Sequence, residues 1–312
     1  MKLVIKDIFT QLEKEGYRCR IVSIQHLDDL KTELEKHRCD GLLDPQLFKE
    51  YLSEFNFSPF EKLKDAAAVF IVALPDSHLQ INFTWNGKVY PVIVPATYLH
   101  GKKFVERTKN LLDGVLLRAG YQVVSAYVPV KLLAVHSGLA TYGRNNITYV
   151  KGMGSYHRLA AFFTDFPCAE DDWQELQMME ACNDCSACRR KCPTNAILAE
   201  RFLLQAERCL TFLNEQPGDK PFPDWIDPLW HNCLVGCLHC QRICPVNKKI
   251  PQRIEKGPEF TQEETASFLK KVLLEQLAPA TAKKIEQHDM TRLIDVLPRN
   301  LGVLLNREES NK

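Results

Sequence analysis

Residues 182–193 read Cys182-Asn183-Asp184-Cys185-Ser186-Ala187-Cys188-Arg189-Arg190-Lys191-Cys192-Pro193, a C-x₂-C-x₂-C-x₃-C-P run. This is the spacing of bacterial two-cluster ferredoxins, in which three closely spaced thiolates converge on one [4Fe–4S] cubane and the fourth ligates the other. Pro193 suits the start of the helix that turns the fourth cysteine away, because the first helical position needs no N–H. A second array, Cys237-x₂-Cys240-x₃-Cys244-Pro245, repeats the pattern with one cysteine missing at its front. Zinc also takes C-x₂-C pairs, but two Cys-Pro endings at this spacing favour iron and sulfide. Two cubanes need eight thiolates, and spacing supplies seven. Crossover assigns Cys182, Cys185, Cys188 and Cys244 to one cluster, and Cys192, Cys237 and Cys240 to the other. The eighth ligand is either Cys209 or Cys233, with local spacing slightly favouring Cys233. Cys19, Cys39 and Cys168 stand alone and read as small buried hydrophobes.

Working outward, the chain of 312 residues has room for two domains or one large domain with an insert. Lys plus Arg, 40, balances Asp plus Glu, 39. No global field therefore draws it to nucleic acid or to an acidic membrane. No apolar run reaches the roughly 18 residues of a membrane span, and Met1–Thr10 has no signal-peptide core. The expected location is the cytoplasm, where twelve cysteines call for metal rather than disulfides.

Upstream, residues 1–16 predict an amphipathic helix, 19–24 a strand, and the stretch to about Phe55 further helix. Ala66–Leu74 is a continuous apolar run that predicts a buried central strand. Ile81–Trp85 and Lys88–Val94 flank Asn86-Gly87, the signature of a tight hairpin. Lys103–Ala119 predicts a helix stopped by Gly120. Strands at Gln122–Val128 and His157–Phe163 complete a mixed sheet. Downstream, Thr261-x-x-Glu264 is a capping box ahead of a helix, another short helix follows Pro298, and Arg307–Lys312 is an expected frayed tail.

Cys192-Pro-Thr-Asn-Ala196, Arg208-Cys209 and Gly236-Cys-Leu-His-Cys-Gln-Arg-Ile-Cys-Pro-Val-Asn247 together resemble the double-cluster domain of the epoxyqueuosine reductase family. Pro129-Val130, Ser137-Gly-Leu-Ala-Thr-Tyr-Gly-Arg-Asn145, Gly154-Ser155 and Leu297-Pro-Arg-Asn-Leu301 are similar to further segments of that family. The resemblance covers most of the chain from about Ala66 and is strongest around the cysteines. It implies that Cys209 is the eighth ligand and Cys233 the spare. It also implies a corrinoid-binding α/β domain related to that of reductive dehalogenases. The corrinoid contacts it suggests are Leu139, Tyr142, Gly143, Arg144, Asn145 and Ser155. The family's proton-donating Asp falls at Ala126, flanked by Ser125 and Tyr127, which leaves Tyr127 as the substitute acid. Arg144 stands where the family has Lys.

The expected fold is α+β. Residues 1–168 form a mixed-sheet, nitroreductase-like α/β domain, 169–250 a ferredoxin-like double [4Fe–4S] domain, and 251–312 a C-terminal helical region. Gly138-x₄-Gly143-Arg144 is not a phosphate loop, since the Lys-Ser/Thr pair is absent. His136 and His157 flank it as possible ligands, although core histidines are commoner. Tyr98, His100 and Gly101 read as a polar helix entry, and Trp225 and Trp230 as cover for the second cluster. The expected function is a two-cluster oxidoreductase that passes electrons to cobalamin, supplied by a ferredoxin or flavodoxin and acting on a corrinoid or a tRNA-derived substrate. A corrinoid-free electron carrier and a corrinoid-handling protein remain alternatives.

Overall fold

The structure is a computed structural model that describes residues 2–169, 171–251 and 253–306. The tail Arg307–Lys312 lies outside the described residues. The described strands are β1 Arg18–Ser23, β2 Ala68–Pro75, β3 His78–Trp85, β4 Lys88–Val94, β5 Val123–Ala126, β6 Thr141–Tyr142, β7 Thr148–Tyr149, β8 His157–Thr164 and β9 Ile254–Phe260. They fall into two compact units that interleave along the chain. The first takes the chain up to Pro75 with Gly101–Ser186 and Ala199–Gln205; the second takes Asp76–His100, Ala187–Leu198 and the chain from Ala206 onward. This grouping differs from the chain-order division at 168 and 250.

In the first unit, β1, β2, β8 and β5 form one sheet in which every pairing is antiparallel. The apolar run of β2 is buried from Ala68 to Ala73 because helices cover both faces. Alternation sends Phe70 and Val72 to one side, where Ile8 and Leu12 of the helix Lys2–Lys14 and Leu112 of the helix Gly101–Leu116 meet them. Val69, Ile71 and Ala73 point the other way, onto Leu27 and Leu30 of the helix His26–Cys39 and Leu132, Leu133 and Val135 of the helix Val130–His136. The sequence reading assigns no element to that last helix. Gly120 ends the helical stretch at φ 84° as expected.

The expected single mixed sheet is corrected on two points: its strands pair antiparallel throughout, and the hairpin strands do not join it. In the second unit β3 pairs antiparallel with β4 around Asn86 (φ 48°) and Gly87 (φ 71°), and parallel with β9. Among the described residues only this smaller sheet is mixed. β9 carries Gly257-Pro258, a pair that reads as a turn. Its register slips between Gln80 and Asn82, and a Cβ on Gly257 would sit 2.8 Å from the Gln80 carbonyl oxygen. Such a bulge is where a strand tolerates Gly and Pro. The capping box forms: Glu264 N–H donates to Thr261 Oγ1, and Thr261 N–H to Glu264 Oε2. Phe83, Phe260, Phe268 and the helix Leu297–Asn306 build the core of this unit.

Arg299 and Asn300 in that last helix fasten the loops that bear cysteines. Arg299 donates to the carbonyls of Leu213, Asn214, Gln216, Pro217 and Lys220, and its guanidinium lies 4.4 Å from the centre of the Phe222 ring. Asn300 Nδ2 donates to Asn214 O and Leu234 O, both at 2.9 Å. The helix Leu210–Glu215 that follows Cys209 and the loop ahead of Cys237 are thereby tied to one pair of side chains. Replacing Arg299 with Ala should destabilise the chain by about 2–3 kcal/mol in urea unfolding, from acceptors left without donors. Arg299→Lys should recover little of it, since one ammonium cannot span a fork of carbonyls.

Candidate metal centre

The second unit brings Cys192, Cys209 and Cys237 close enough to oppose one another's ionisation. Burial pushes the Cys209 thiol up, and amide N–H groups of Thr211 and Phe212 aimed at its sulfur partly offset this. Burial pushes Cys237 up to about 12, against donation from the His239 amide and Asn232; Asn232 Nδ2 lies 3.7 Å from Cys237 Sγ. A bound cation inverts this balance, because a coordinating thiol is deprotonated outright. Half-buried sulfurs with amides already aimed at them fit an iron–sulfur cluster. Among the described residues no three His, Cys, Asp or Glu side chains gather as the ligands of one ion do. A cubane spreads its thiolates over four irons.

The remaining candidate for this set behaves differently. Cys233 is 1% exposed, and its thiol donates to Asn232 Oδ1 at 3.0 Å. The same oxygen accepts from Leu238 N–H. Cys233 thus braces the Asn232 side chain that serves Cys237. Trp230, Phe222 and Cys237 pack against Leu210, Leu213 and Ile226. Trp225 instead is exposed, with Arg208 over its ring. Tyr98 donates to Glu215 and stacks against Gly236 (φ 70°), where a Cβ would meet its ring at 2.8 Å. His100 N–H donates to Asp289.

In the first unit the chain reaches Cys182 along a fixed track. Gln174 N–H donates to His136 O, Tyr142 N–H to Gln177 O, and Met179 N–H to Tyr142 O. Trp173 is sandwiched between the rings of His26 (4.0 Å) and His136 (4.7 Å). His26 bonds to Asp29 and Asp171, and His136 to Glu33 Oε2 at 2.7 Å and to the Gln174 carbonyl. Two acceptors on its ring make the imidazolium the form of His136 that satisfies both. Burial opposes that charge, yet the Glu33 and Gln174 bonds outweigh it and raise the pKa. Burial likewise opposes ionisation of Glu33, but the bond from His136 holds its carboxyl down to about 2.

The six residues implied as corrinoid contacts all lie in this unit. Leu139, Tyr142, Asn145 and Ser155 are buried in its own packing. Tyr142 meets Phe202 edge-on, and Asn145 Nδ2 donates to Tyr149 Oη. Gly143 is enclosed by Tyr149 and Asn145, while Arg144 turns its guanidinium onto the carbonyls of Cys182, Asn183 and Cys185. Asn146, held at φ 58°, keeps a buried Nδ2 with no hydrogen-bond acceptor in reach, the one open donor at this segment that a polar ligand would satisfy. His157 spends both ring nitrogens on Thr148 and Gly154 O. Ala126 ends β5, paired with Ala161. Tyr127 is 50% exposed beside Phe55, and burial together with Glu54 raises its phenol further. Of the lone cysteines, Cys19 is buried as expected, Cys168 is partly buried and Cys39 is exposed at the end of its helix. The sequence reading missed Asn232 and Trp173. Neither belongs to a spaced motif.

Residues 181–247 match the family of 4Fe-4S double cluster binding domains, so this stretch carries two [4Fe–4S] clusters. The chain is 33% identical to epoxyqueuosine reductase of Shewanella oneidensis over 162 residues, 47% of this chain and 39% of that one. The matched stretch thus spans about two fifths of that curated relative. The fold is similar to that of epoxyqueuosine reductase from Streptococcus thermophilus, with a TM-score of 0.71 at 18% identity over 99% of this chain and 82% of that one. It is also similar to a crystal structure of epoxyqueuosine reductase with an epoxyqueuosine-modified tRNA-Tyr stem loop, with a TM-score of 0.61 at 20% identity over 92% and 76%. The resemblance read from the sequence is therefore present both in the curated relatives and in the fold. No described helix is long and apolar enough to cross a membrane.

The His136–Glu33 pair predicts a pH dependence. Folding raises the His136 pKa above its ordinary 6.5, so its stabilisation is whole below that value and is lost as pH rises through the folded pKa. Glu33 loses its share only as pH falls through about 2. Exchange protection of the Gln174 amide, corrected for intrinsic rate, should therefore drop as pH rises above 6.5 and through the folded pKa. His136→Gln should abolish the dependence.

Proposed function

We propose that this chain is an iron–sulfur oxidoreductase of the epoxyqueuosine reductase type, coupling two [4Fe–4S] clusters to a bound cobalamin held by a nitroreductase-like α/β domain. The observation that carries the reading is the half-buried trio Cys192, Cys209 and Cys237, close enough to oppose one another's ionisation, with amides aimed at the Cys209 and Cys237 sulfurs. We assign Cys192, Cys209, Cys237 and Cys240 to one cluster and Cys182, Cys185, Cys188 and Cys244 to the other. Cys209 is favoured as eighth ligand because it neighbours Cys192 and Cys237, whereas the Cys233 thiol is engaged with Asn232. The clusters supply one-electron steps at low potential, and the cobalamin a reducible metal centre.

The rest falls to the protein's own residues. Cys237 packs on the apolar cluster of Leu210, Leu213 and Ile226 that Trp230 and Phe222 also cover, and an apolar surround of this kind tunes the potential. Asn146 Nδ2 offers a donor toward the corrinoid, while Arg144 is engaged with the cysteine turn. At the position of the family's acid, Ala126 has no proton to give, and Tyr127, with its pKa raised, keeps its proton at neutral pH. The substrate of this reading is an epoxyqueuosine-type nucleoside in tRNA, reduced slowly for want of that acid. The electron donor of this reading is a ferredoxin or flavodoxin, in the cytoplasm.

Three measurements test this. Anaerobically reconstituted protein should hold about eight irons per chain, falling to about four in Cys209→Ser and staying near eight in Cys233→Ser. Cobalamin should co-elute with the wild-type chain, and an unshifted spectrum without co-elution would remove it from the account. Ala126→Asp should raise turnover of epoxyqueuosine-containing tRNA by about 10²–10⁴, the usual worth of a placed acid. No gain in a folded, cluster-loaded variant would show that the missing acid does not limit this chain.

A further inference from the structure

The guanidinium of Arg144 is spent on the backbone of the first cysteine turn. Nε donates to Cys185 O at 3.0 Å, and Nη2 to Cys182 O at 2.7 Å and Asn183 O at 3.2 Å. Its own backbone is held just as firmly. Gly143 N–H donates to Ile147 O and Asn146 N–H to Gly143 O, closing a turn with Asn146 at φ 58°. A Cβ on Gly143 would stand 2.5 Å from the Tyr149 ring and 2.6 Å from Asn145 Oδ1, so only glycine lets the chain pass. Asn145, 2% exposed, locks the far side through Tyr149. The strand partners of Tyr142, Gln177 and Met179, lead straight into the same turn. Thus the whole 142–149 turn aims one permanent cation at the peptides between Cys182 and Cys185.

Adding an electron to a cluster adds a negative charge, and a fixed cation nearby favours the reduced form. Arginine suits the task because it stays charged at every working pH and spans three acceptors with one planar fork. A lysine ammonium at this position would supply the charge without the fork.

We propose that Arg144 is a positioning residue for the cluster held by Cys182 and Cys185: it fixes the turn and raises that cluster's reduction potential above the value it would otherwise have. Arg144 thereby sets the two clusters of the chain apart in potential. The proposal rests on the double-cluster reading and adds to it a specific electrostatic role.

The test is an anaerobic redox titration followed by electron paramagnetic resonance, on full-length protein carrying both clusters. Wild type, Arg144→Gln and Arg144→Lys are compared, each with its iron counted. In Arg144→Gln one of the two midpoint potentials should move negative, by about a tenfold change in the reduced-to-oxidised ratio, or 59 mV. The other potential should stay in place. Arg144→Lys should move the same cluster in the same direction by less. If Arg144→Gln loses iron, Arg144→Lys alone decides, by its shift at one cluster only. Unmoved potentials in every variant that keeps its iron would overturn the proposal, as would equal shifts at both clusters. Wild-type protein with far fewer than about eight irons would instead refute the double-cluster reading itself.

Discussion

Burying sulfur charge is the constraint on which the rest of this structure depends. A thiolate taken out of water needs a metal and nearby donors, or it stays protonated. The chain meets that demand with backbone amides at Thr211, Phe212 and His239 and with the side chain of Asn232. Those donors lie on the first turns of the short helices Leu210–Glu215 and His239–Arg242 and on the loop between them, segments too short to hold themselves in place. Arg299 and Asn300 supply the missing fixation, gathering the carbonyls behind Cys209 and ahead of Cys237. In the first unit Arg144 does the corresponding work on the turn from Cys182 to Cys185.

Seen this way, several polar motifs that look like ligand-binding elements are parts of a scaffold. The glycine-rich stretch from Ser137 to Asn145 is a helix end followed by a tight turn. Its best placed cation faces a cysteine turn, and its best placed amide faces a tyrosine. The Arg-Asn pair near the C-terminus caps a helix rather than facing solvent. The paired histidines around Trp173 clamp the segment that delivers the first cysteine, and the Glu33 partner of His136 makes that clamp sensitive to pH.

Much of the fold was legible because its signals are local. The apolar run of β2, the Asn86-Gly87 hairpin, the Gly120 stop and the Thr261 capping box each carry their mechanism within a few residues. What the sequence concealed was non-local. The Gly257-Pro258 pair hides β9, because its strand character depends on a bulge against Gln80. The hairpin was expected in the central sheet, and nothing in its alternation reveals that it takes β9 as partner instead. At the site, spacing reached seven thiolates and stopped. The choice between Cys209 and Cys233 turns on the helix after one and the Asn232 contact of the other, neither of which spacing encodes. The role of Arg144 was hidden for the same reason, since its acceptors lie about forty residues away in carbonyls that carry no side-chain signature.

The central claim is that this one chain organises two cubanes through eight of its own cysteines. Native mass spectrometry of the anaerobically reconstituted protein tests it most directly. The account predicts a single holo species heavier than the bare chain by two Fe₄S₄ groups, with eight cysteine protons lost. A holo species carrying one cluster, or zinc ions in their place, would contradict it.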